Sequence, residues 1–195
     1  YRLDLHRYRM QSKVILVTTA FLLVLPTLYF YCFEFTAGSA RQRILLSMFQ
    51  SVTPRTAGFN TADLAAMDST SQALMVVLML LGGSPSSTAG GMKTTTFAVL
   101  LANMWATFRR RDDAEFFGRR IDGSAVKNAA TIAGMYLTLF FLGAFVIAAA
   151  EQLPMSVCLY ETASAVATVG LTLGITPQLG ILSQGGLIAL KIGRA

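Results

Sequence analysis

Long stretches without a charged residue are the feature that most constrains how this chain can fold. Val14 to Phe33, Asn128 to Ala150 and Thr162 to Leu190 are uncharged over 20, 23 and 29 positions. A run of about 20 apolar residues is long enough to cross the hydrocarbon core of a bilayer as a helix. Charged residues make up only 13% of the sequence, against about 25% in ordinary soluble domains. We therefore expect an all-α integral membrane protein.

The positive charges are concentrated in two groups that indicate how the chain is oriented. One group precedes the first span, and the other lies between the second span and the third. Lysine and arginine collect in cytoplasmic loops, so we expect both groups to lie in the cytoplasm. The net charge of +6 therefore does not indicate binding to nucleic acid. The two groups are Arg2, Arg7, Arg9 and Lys13, and Arg109, Arg110, Arg111, Arg119, Arg120 and Lys127.

The cysteines and the histidine give little functional information. Cys32 and Cys158 are isolated in apolar surroundings and lack the spacing of metal ligands, so we expect both to be buried. His6 lies in the basic leader, where we expect it to be solvated. The sequence lacks an initiator methionine and ends inside an apolar segment, so we expect a piece of a longer chain.

Two short segments share one pattern and lie 112 residues apart. Residues 56–60 read Thr-Ala-Gly-Phe-Asn, and residues 168–172 read Thr-Val-Gly-Leu-Thr. Each follows a stretch that is too short to span a membrane, and each is flanked by long apolar segments. A pore on a central axis needs about four such units around the ion. The sequence therefore predicts two repeats, each with the order span, pore helix, loop and span (span–pore helix–loop–span). Together they would form half of a four-repeat potassium-channel-like pore.

The charges, prolines and glycines also predict where the elements begin and end. In the first unit we expect a basic cytoplasmic leader at 1–12, a span at 13–35 kinked at Pro26, a pore helix at 40–55, a filter loop at 56–61, an exposed turn at 63–70 and a broken span at 71–108. In the second unit we expect a cytoplasmic connector at 109–127, a span at 128–150, a pore helix at 154–167, a filter loop at 168–172 and a truncated closing span at 180–195.

The two loops have the residue types that a potassium filter needs. Backbone carbonyl groups can replace the water shell of the ion without a full charge that would trap it. Glycine permits backbone conformations closed to residues with a Cβ atom, and the preceding helices direct their negative ends at the loops. A single Thr-x-Gly turn is weak evidence, but two in matching positions favour a filter. The candidate filter residues are Thr56, Ala57, Gly58, Phe59, Asn60, Thr168, Val169, Gly170, Leu171 and Thr172.

A glycine- and serine-rich break interrupts the second span. Irregular backbone at membrane depth is tolerated only where it is buried in protein or lines a wet cavity. We interpret the break as a gating loop below the filter; a flexible kink packed against its neighbours is the alternative. A phosphate-binding loop is disfavoured, because Met92 separates the last glycine from Lys93. The gating-loop residues are Gly82, Gly83, Ser84, Pro85, Ser86, Ser87, Thr88, Ala89, Gly90, Gly91, Met92 and Lys93.

Four ionisable residues near or within the spans need an explanation, because charges at membrane depth are usually functional or paired. Glu161 lies in the second pore helix, where it could hold the filter in shape or add negative field. Lys93 ends the glycine-rich break or marks the cytoplasmic mouth, and Arg194 lies in the final span. We expect Glu151 to be solvated at the outer boundary.

Three motifs in the same order resemble the Trk/Ktr/HKT superfamily of potassium transporters. They are Arg-Thr-Ala-Gly-Phe-Asn-Thr at 55–61, Gly-Gly-Ser-Pro-Ser-Ser-Thr-Ala-Gly-Gly-Met-Lys-Thr-Thr-Thr at 82–96, and Thr-Val-Gly-Leu-Thr at 168–172. Residues 94–101 and 117–121 look more like the Ktr-type (KtrB-like) membrane subunit than the Trk-type. The resemblance covers nearly the whole chain and corresponds to the carboxy-terminal half of such a subunit.

This resemblance implies that the chain holds the third and fourth of four repeats. It implies that Gly58 and Gly170 are filter glycines, that 82–93 is the intramembrane gating loop, and that Arg194 contacts that loop. The family usually continues Gly-Arg-x-Gly-Pro, whereas this sequence stops after Ala195. The resemblance also implies a homodimer on cytosolic nucleotide-binding (RCK-type) regulatory subunits, sodium dependence, and a multi-pass location in the bacterial cytoplasmic (inner) membrane.

The sequence thus predicts potassium uptake with no covalent chemistry and no covalent cofactor; K⁺ is the transported ion and Na⁺ a candidate second ion. A Trk-type channel subunit and a sodium-transporting relative of the same architecture stay open as alternatives. An intramembrane enzyme is disfavoured, because the single histidine lies outside the spans and no carboxylates are paired at helical spacing.

Overall fold

The computed structural model describes residues 9–85, 87–111, 113–116 and 119–192. The first half of the chain forms two spans with a short helix between them, and its second span is broken. After the short helix, an irregular stretch leads into the next helix. The helices are α1 (Met10–Tyr29), which continues as a π-helical turn (Phe30–Glu34), α2 (Ala40–Val52), α3 (Ser69–Leu80) and α4 (Thr94–Phe108).

The second half repeats the order of span, short helix, loop and span. Before it, two short antiparallel strands lie within the predicted connector, and they form the one sheet among the described residues. The elements are β1 (Glu115–Phe116), β2 (Arg119–Arg120), α5 (Gly123–Glu151), α6 (Met155–Val166), a 3₁₀ turn (Thr176–Gln178) and α7 (Ile181–Ile192).

Among the described residues, two helical segments are long and apolar enough to cross a membrane: Met10–Glu34 and Gly123–Glu151. Most of their large apolar side chains face outward, as expected of helices whose solvent is hydrocarbon. Shorter apolar helices at Ser69–Leu80 and Ile181–Ile192 accompany them. Exposed apolar side chains of these two helices include Val24, Leu28, Leu142, Phe145 and Val146.

The end of α1 is held by an arginine rather than broken by its proline. The helix continues through Pro26 and changes to π geometry only at Phe30. Arg43 of α2 donates from Nε to the Phe35 carbonyl oxygen at 2.6 Å and from an η nitrogen to the Tyr31 carbonyl oxygen at 2.9 Å. These bonds satisfy carbonyl groups that a helix end leaves unpaired, and they fix α2 against α1.

The core is centred on α3 and α6. Helix α6 packs against α3, α5 and α7, whereas α2 packs chiefly against α1 and the π-helical turn. The largest fully buried apolar side chains of this core are Tyr160, Phe30, Met75, Leu78 and Met79. The second short helix is therefore enclosed on several sides, and the first lies nearer the edge of the described structure.

The predicted exposed turn at 63–70 differs from the structure. Leu64 and Met67 are buried there, and α3 already begins at Ser69. Asp68 caps α3, because its Oδ2 accepts from the Thr70 backbone N–H at 3.2 Å. The hydrogen bonds from Thr70 hold the pKa of this exposed carboxyl below its usual range.

Three further expectations need correction. Cys32 is exposed, although Cys158 is buried as expected. Helix α5 begins at Gly123 rather than at residue 128, since a helix can extend beyond the bilayer with charged side chains in its first turns. Glu151 is not simply solvated: its Oε1 accepts from Gly180 N at 2.8 Å and from Ser183 Oγ at 2.6 Å, so it caps α7.

Candidate functional site

The first loop, residues 56–61, is attached to the end of α2 by Thr53. The backbone N–H groups of Ala57 and Gly58 both donate to the Thr53 carbonyl oxygen, at 3.2 and 3.1 Å. The Thr53 hydroxyl donates to the Phe59 carbonyl oxygen at 2.5 Å. Thr53 therefore binds the loop on both sides of its glycine, which fixes the loop at the negative end of the helix.

The second loop, residues 168–172, is attached to α6 by Ser164. The Val169 N–H donates to the Ser164 carbonyl oxygen at 2.9 Å, and the Gly170 N–H donates to the Ser164 hydroxyl oxygen at 3.1 Å. As in the first loop, a hydroxyl residue in the last turns of a short helix holds the glycine in place.

Both loops have the same alternation of backbone handedness. Thr56 and Gly58 have φ values of 73° and 72°, and Thr168 and Gly170 have φ values of 54° and 92°. A left-handed conformation costs about 1–3 kcal/mol for a non-glycine residue and is an outlier for β-branched threonine. When every second residue is left-handed, successive peptide units rotate relative to one another, and the carbonyl groups of a loop can then point towards the same side of the backbone. The two loops thus match in conformation as well as in sequence.

The two loops meet each other. A Cβ atom placed on Gly58 would lie 2.1 Å from the Val169 carbonyl oxygen and 3.9 Å from Gly170 Cα. Only a residue without a side chain allows the backbones to approach this closely. On the other side of the contact, no heavy atom of the described residues lies within 4 Å of a Cβ placed on Gly170, apart from its chain neighbours. Gly58 therefore packs against the second loop, and Gly170 faces open space.

Glu161 organises the chain that follows the second glycine. It is only 4% exposed. Its Oε1 accepts from the Thr172 hydroxyl at 2.6 Å and from the Leu173 N–H at 2.9 Å, and its Oε2 accepts from the Thr176 hydroxyl at 2.8 Å. Three hydrogen bonds to one carboxyl group hold the second loop in one conformation.

Replacing Glu161 is expected to loosen the second loop. Glu161→Ala removes the acceptor of three hydrogen bonds and should lower the free energy of unfolding by about 3–5 kcal/mol, while Glu161→Gln, which keeps the shape and one acceptor oxygen, should lower it by about 1–2 kcal/mol. Thermal unfolding of the purified full-length protein measures both effects. As a control, Glu115→Gln removes an exposed pair to Arg111 at 4.0 Å and should change little. An Ala variant as stable as the wild type would contradict the role of Glu161 in holding the second loop.

The glycine-rich segment, residues 82–93, returns on itself between α3 and α4. The Gly82 N–H donates to the Met92 carbonyl oxygen at 2.9 Å, and the Met92 N–H donates to the Leu80 carbonyl oxygen at 2.8 Å. A Cβ on Gly82 would lie 1.8 Å from the Gly90 carbonyl oxygen, so the two ends of the segment are in backbone contact. The segment is a closed loop whose base is held by hydrogen bonds.

This segment contacts the second loop directly. A Cβ on Gly90 would lie 1.9 Å from the Ala167 carbonyl oxygen and 2.2 Å from Thr168 Oγ1. On its other side, Lys93 Nζ donates to the Ala89 carbonyl oxygen at 2.7 Å and to the Ser87 carbonyl oxygen at 3.1 Å. The lysine thus satisfies carbonyl groups of the segment, and the segment lies against the start of the second loop.

The candidate residues are not all brought together. Gly58 contacts Val169 and Gly170, and Gly90 contacts Ala167 and Thr168. Phe59 is 70% exposed, and Asn60 is also exposed. Thr53 and Ser164 were not predicted; a hydroxyl residue near the end of each short helix was the available signal. Ser86 and Arg194 lie outside the described residues.

The fold and this site define a membrane protein built from units of span, short helix, glycine loop and span. The family model described as TrkH, cation transport protein, matches residues 9–194. The chain belongs to this family, which confirms the predicted superfamily and the all-helical membrane fold. Because this is a family of transport proteins, the alternative of an intramembrane enzyme is not supported.

Relatives with similar sequences are potassium transport proteins by name. The chain is 38% identical to the potassium/sodium uptake protein NtpJ of Enterococcus hirae over 98% of its length and 46% of that protein's length. It is 35% identical to the Ktr system potassium uptake protein B of Bacillus subtilis, over 96% of this chain and 44% of that protein. The chain therefore spans less than half the length of these relatives.

A solved structure has the same fold. The potassium transporter TrkH from Vibrio parahaemolyticus matches with a TM-score of 0.74 over 90% of this chain and 40% of that chain, at 19% sequence identity. At this identity the match supports the architecture of the chain and gives no information on which ion it selects.

Proposed function

We propose that this chain is the carboxy-terminal half of a subunit that takes up potassium, and that its two glycine loops supply half of a carbonyl-lined selectivity filter. The observation that carries the proposal is the backbone contact between Gly58 and the second loop, made by two loops with the same alternation of handedness. The names of the relatives, which are potassium uptake proteins, support the choice of ion.

Carbonyl groups are suited to this task because they offer weak, replaceable dipoles to a dehydrated ion. Helices α2 and α6 end next to the two loops, so their negative ends add a favourable potential for a cation. The buried Glu161 side chain supports the second loop without occupying the ion path, because its oxygens are engaged by Thr172, Leu173 and Thr176.

The rest of the filter would come from the part of the protein that these relatives have beyond the aligned segment. Gly170 faces open space within the described structure, which leaves room beside the second loop for the remaining loops.

The glycine-rich segment would act as the gate. It touches the second loop through Gly90, it has glycine at its contact points, and its carbonyl groups at 87 and 89 are held by Lys93. Movement of the segment away from Ala167 and Thr168 would open a path next to the filter. In this proposal Arg194, which lies outside the described residues, contacts the segment from the last span.

The assembly and its regulation are also part of the proposal. A homodimer on cytosolic RCK-type nucleotide-binding subunits, sodium dependence and a location in the bacterial cytoplasmic membrane rest on the resemblance to Ktr-type proteins. A sodium-transporting relative is the second candidate, favoured by the name of NtpJ, a potassium/sodium uptake protein. A Trk-type potassium channel subunit has the same architecture and is the third.

Uptake by the full-length protein tests the proposal. Expression in a bacterium that lacks its own potassium-uptake systems should restore growth at low potassium, and radioactive rubidium should enter more quickly than in cells with an empty vector. Uptake of sodium with no uptake of rubidium or potassium would favour the second candidate. Absence of uptake of any of these ions by a correctly inserted protein would contradict the proposal.

A further inference from the structure

The sulfur of Met75 lies between the two short helices that carry the glycine loops. Gln50 of α2 directs its Nε2 at Met75 Sδ, at 2.9 Å, and also towards Met67 Sδ, at 3.7 Å. Tyr160 of α6 donates its hydroxyl to the same Met75 Sδ, at 3.7 Å. One atom of α3 therefore accepts from both short helices.

All three side chains are almost completely buried: Gln50 and Tyr160 are 1% exposed, and Met75 is 0% exposed. A thioether sulfur is a weak acceptor, but no water competes for the donors in a dry core, and an amide left unpaired there is costly. The two sulfur acceptors therefore account for the presence of a glutamine at this buried position. Leucine or methionine would fill the same volume and would need no hydrogen-bond acceptor.

The position of the three residues links them to the proposed ion path. Gln50 lies three positions before Thr53, which holds the first loop, and Tyr160 precedes Glu161, which holds the second. Helix α2 packs chiefly against α1 and the π-helical turn, whereas α6 packs against α3, α5 and α7. Because the first short helix lies at the edge of the core, a long polar side chain that reaches α3 is a means of fixing its position.

We infer that Met75 is a positioning residue for the filter: by accepting from Gln50 and Tyr160 it sets the spacing of the two short helices, and so of the two glycine loops. The inference rests on the proposed function. It assigns selectivity in part to a buried contact in α3 that does not touch the ion. The contact also connects the loops to the helix that leads into the glycine-rich segment.

The test compares two methionines of the same helix. Met75→Leu removes the sulfur acceptor with little change in volume. Met79→Leu is the control, because Met79 is a fully buried residue of the same helix whose sulfur is not the acceptor of Gln50 or Tyr160. In vesicles containing the full-length protein, Met75→Leu should lower the ratio of potassium to sodium uptake roughly tenfold, the effect of about one buried hydrogen bond. Met79→Leu should leave the ratio unchanged.

A variant that replaces all three side chains separates positioning from stability. Replacing every partner of a buried hydrogen bond by apolar groups is nearly neutral for folding, so Met75→Leu combined with Gln50→Leu and Tyr160→Phe should recover most of the thermal stability that Met75→Leu loses. The uptake ratio should stay low, because the helices are no longer tied. If the ratio returns together with stability, or if Met75→Leu never lowers it, the inference is wrong. A wild-type protein without selectivity would instead contradict the proposed function.

Discussion

Replacing Gly58 by serine in the full-length protein is expected to remove most of its discrimination between potassium and sodium. The new Cβ would lie 2.1 Å from the Val169 carbonyl oxygen, so the two loops would have to separate. The serine would also occupy a left-handed conformation, with φ at 72°, which costs an L-residue about 1–2 kcal/mol. A change of about 1.4 kcal/mol in relative ion binding is tenfold, so a loss of roughly tenfold or more is expected.

The measurement is the ratio of potassium to sodium uptake in vesicles, with Gly134→Ser as the matched control. Gly134 lies on an exposed face of α5, and no heavy atom among the described residues, outside the helix backbone and its neighbours, lies within 4 Å of a Cβ placed there. The control should keep the wild-type ratio. An unchanged ratio in a folded Gly58→Ser variant would show that this loop does not form the filter.

Deleting residues 84–90 is expected to produce the second large effect, an increase in the rate of potassium uptake. The deletion removes the carbonyl groups that Lys93 binds, and it removes Gly90, which covers the start of the second loop. The ends can be rejoined with little movement of α3 or α4, because a Cβ on Gly91 would lie only 2.7 Å from Gly82 Cα and Gly82 bonds to Met92.

The selectivity of the shortened variant serves as its internal control. Since the deletion leaves residues 56–58 and 168–170 in place, the ratio of potassium to sodium uptake should stay close to that of the wild type while the rate rises. A large organic cation should remain excluded, which distinguishes an open gate from a general leak. Unaltered or lower uptake by a correctly folded variant would contradict a gating role for the segment.

The sequence allowed the helical architecture to be predicted where charge and glycine mark the ends of helices. Helix α4 occupies 94–108, as predicted, because Lys93 and Arg109 flank an apolar run. Helix α5 begins earlier than predicted, since Lys127 was interpreted as lying outside the helix. A cationic side chain near a bilayer surface can remain helical while its charge stays in water.

Apolar neighbours misled the prediction of burial for Cys32. In a membrane protein an apolar surrounding includes lipid, so a hydrophobic sequence around a cysteine does not show whether it faces the protein or the bilayer. Met67 shows the opposite case, because it lies in a polar segment and is nevertheless buried beside Gln50. Burial depends on which face of the chain meets α3, and this information is absent from local composition.

The anchors of the site could not be predicted from periodicity. Thr53 and Ser164 hold the two loops through backbone turns whose geometry depends on how the chain leaves each helix. The sequence did indicate that Glu161 has partners, because a carboxylate in an apolar stretch needs them; its role as a support of the filter stays a prediction. Its partners, Thr172, Leu173 and Thr176, follow from the path of the loop.

The central claim is that the two glycine loops line one potassium path with their backbone oxygens. Crystals of the full-length protein soaked with rubidium or thallium, which replace potassium and scatter anomalously, test it most directly. We expect an anomalous peak within coordination distance of carbonyl oxygens from both 56–58 and 168–170. A bound ion held instead by side-chain carboxylates away from these loops, with no peak between them, would contradict the account.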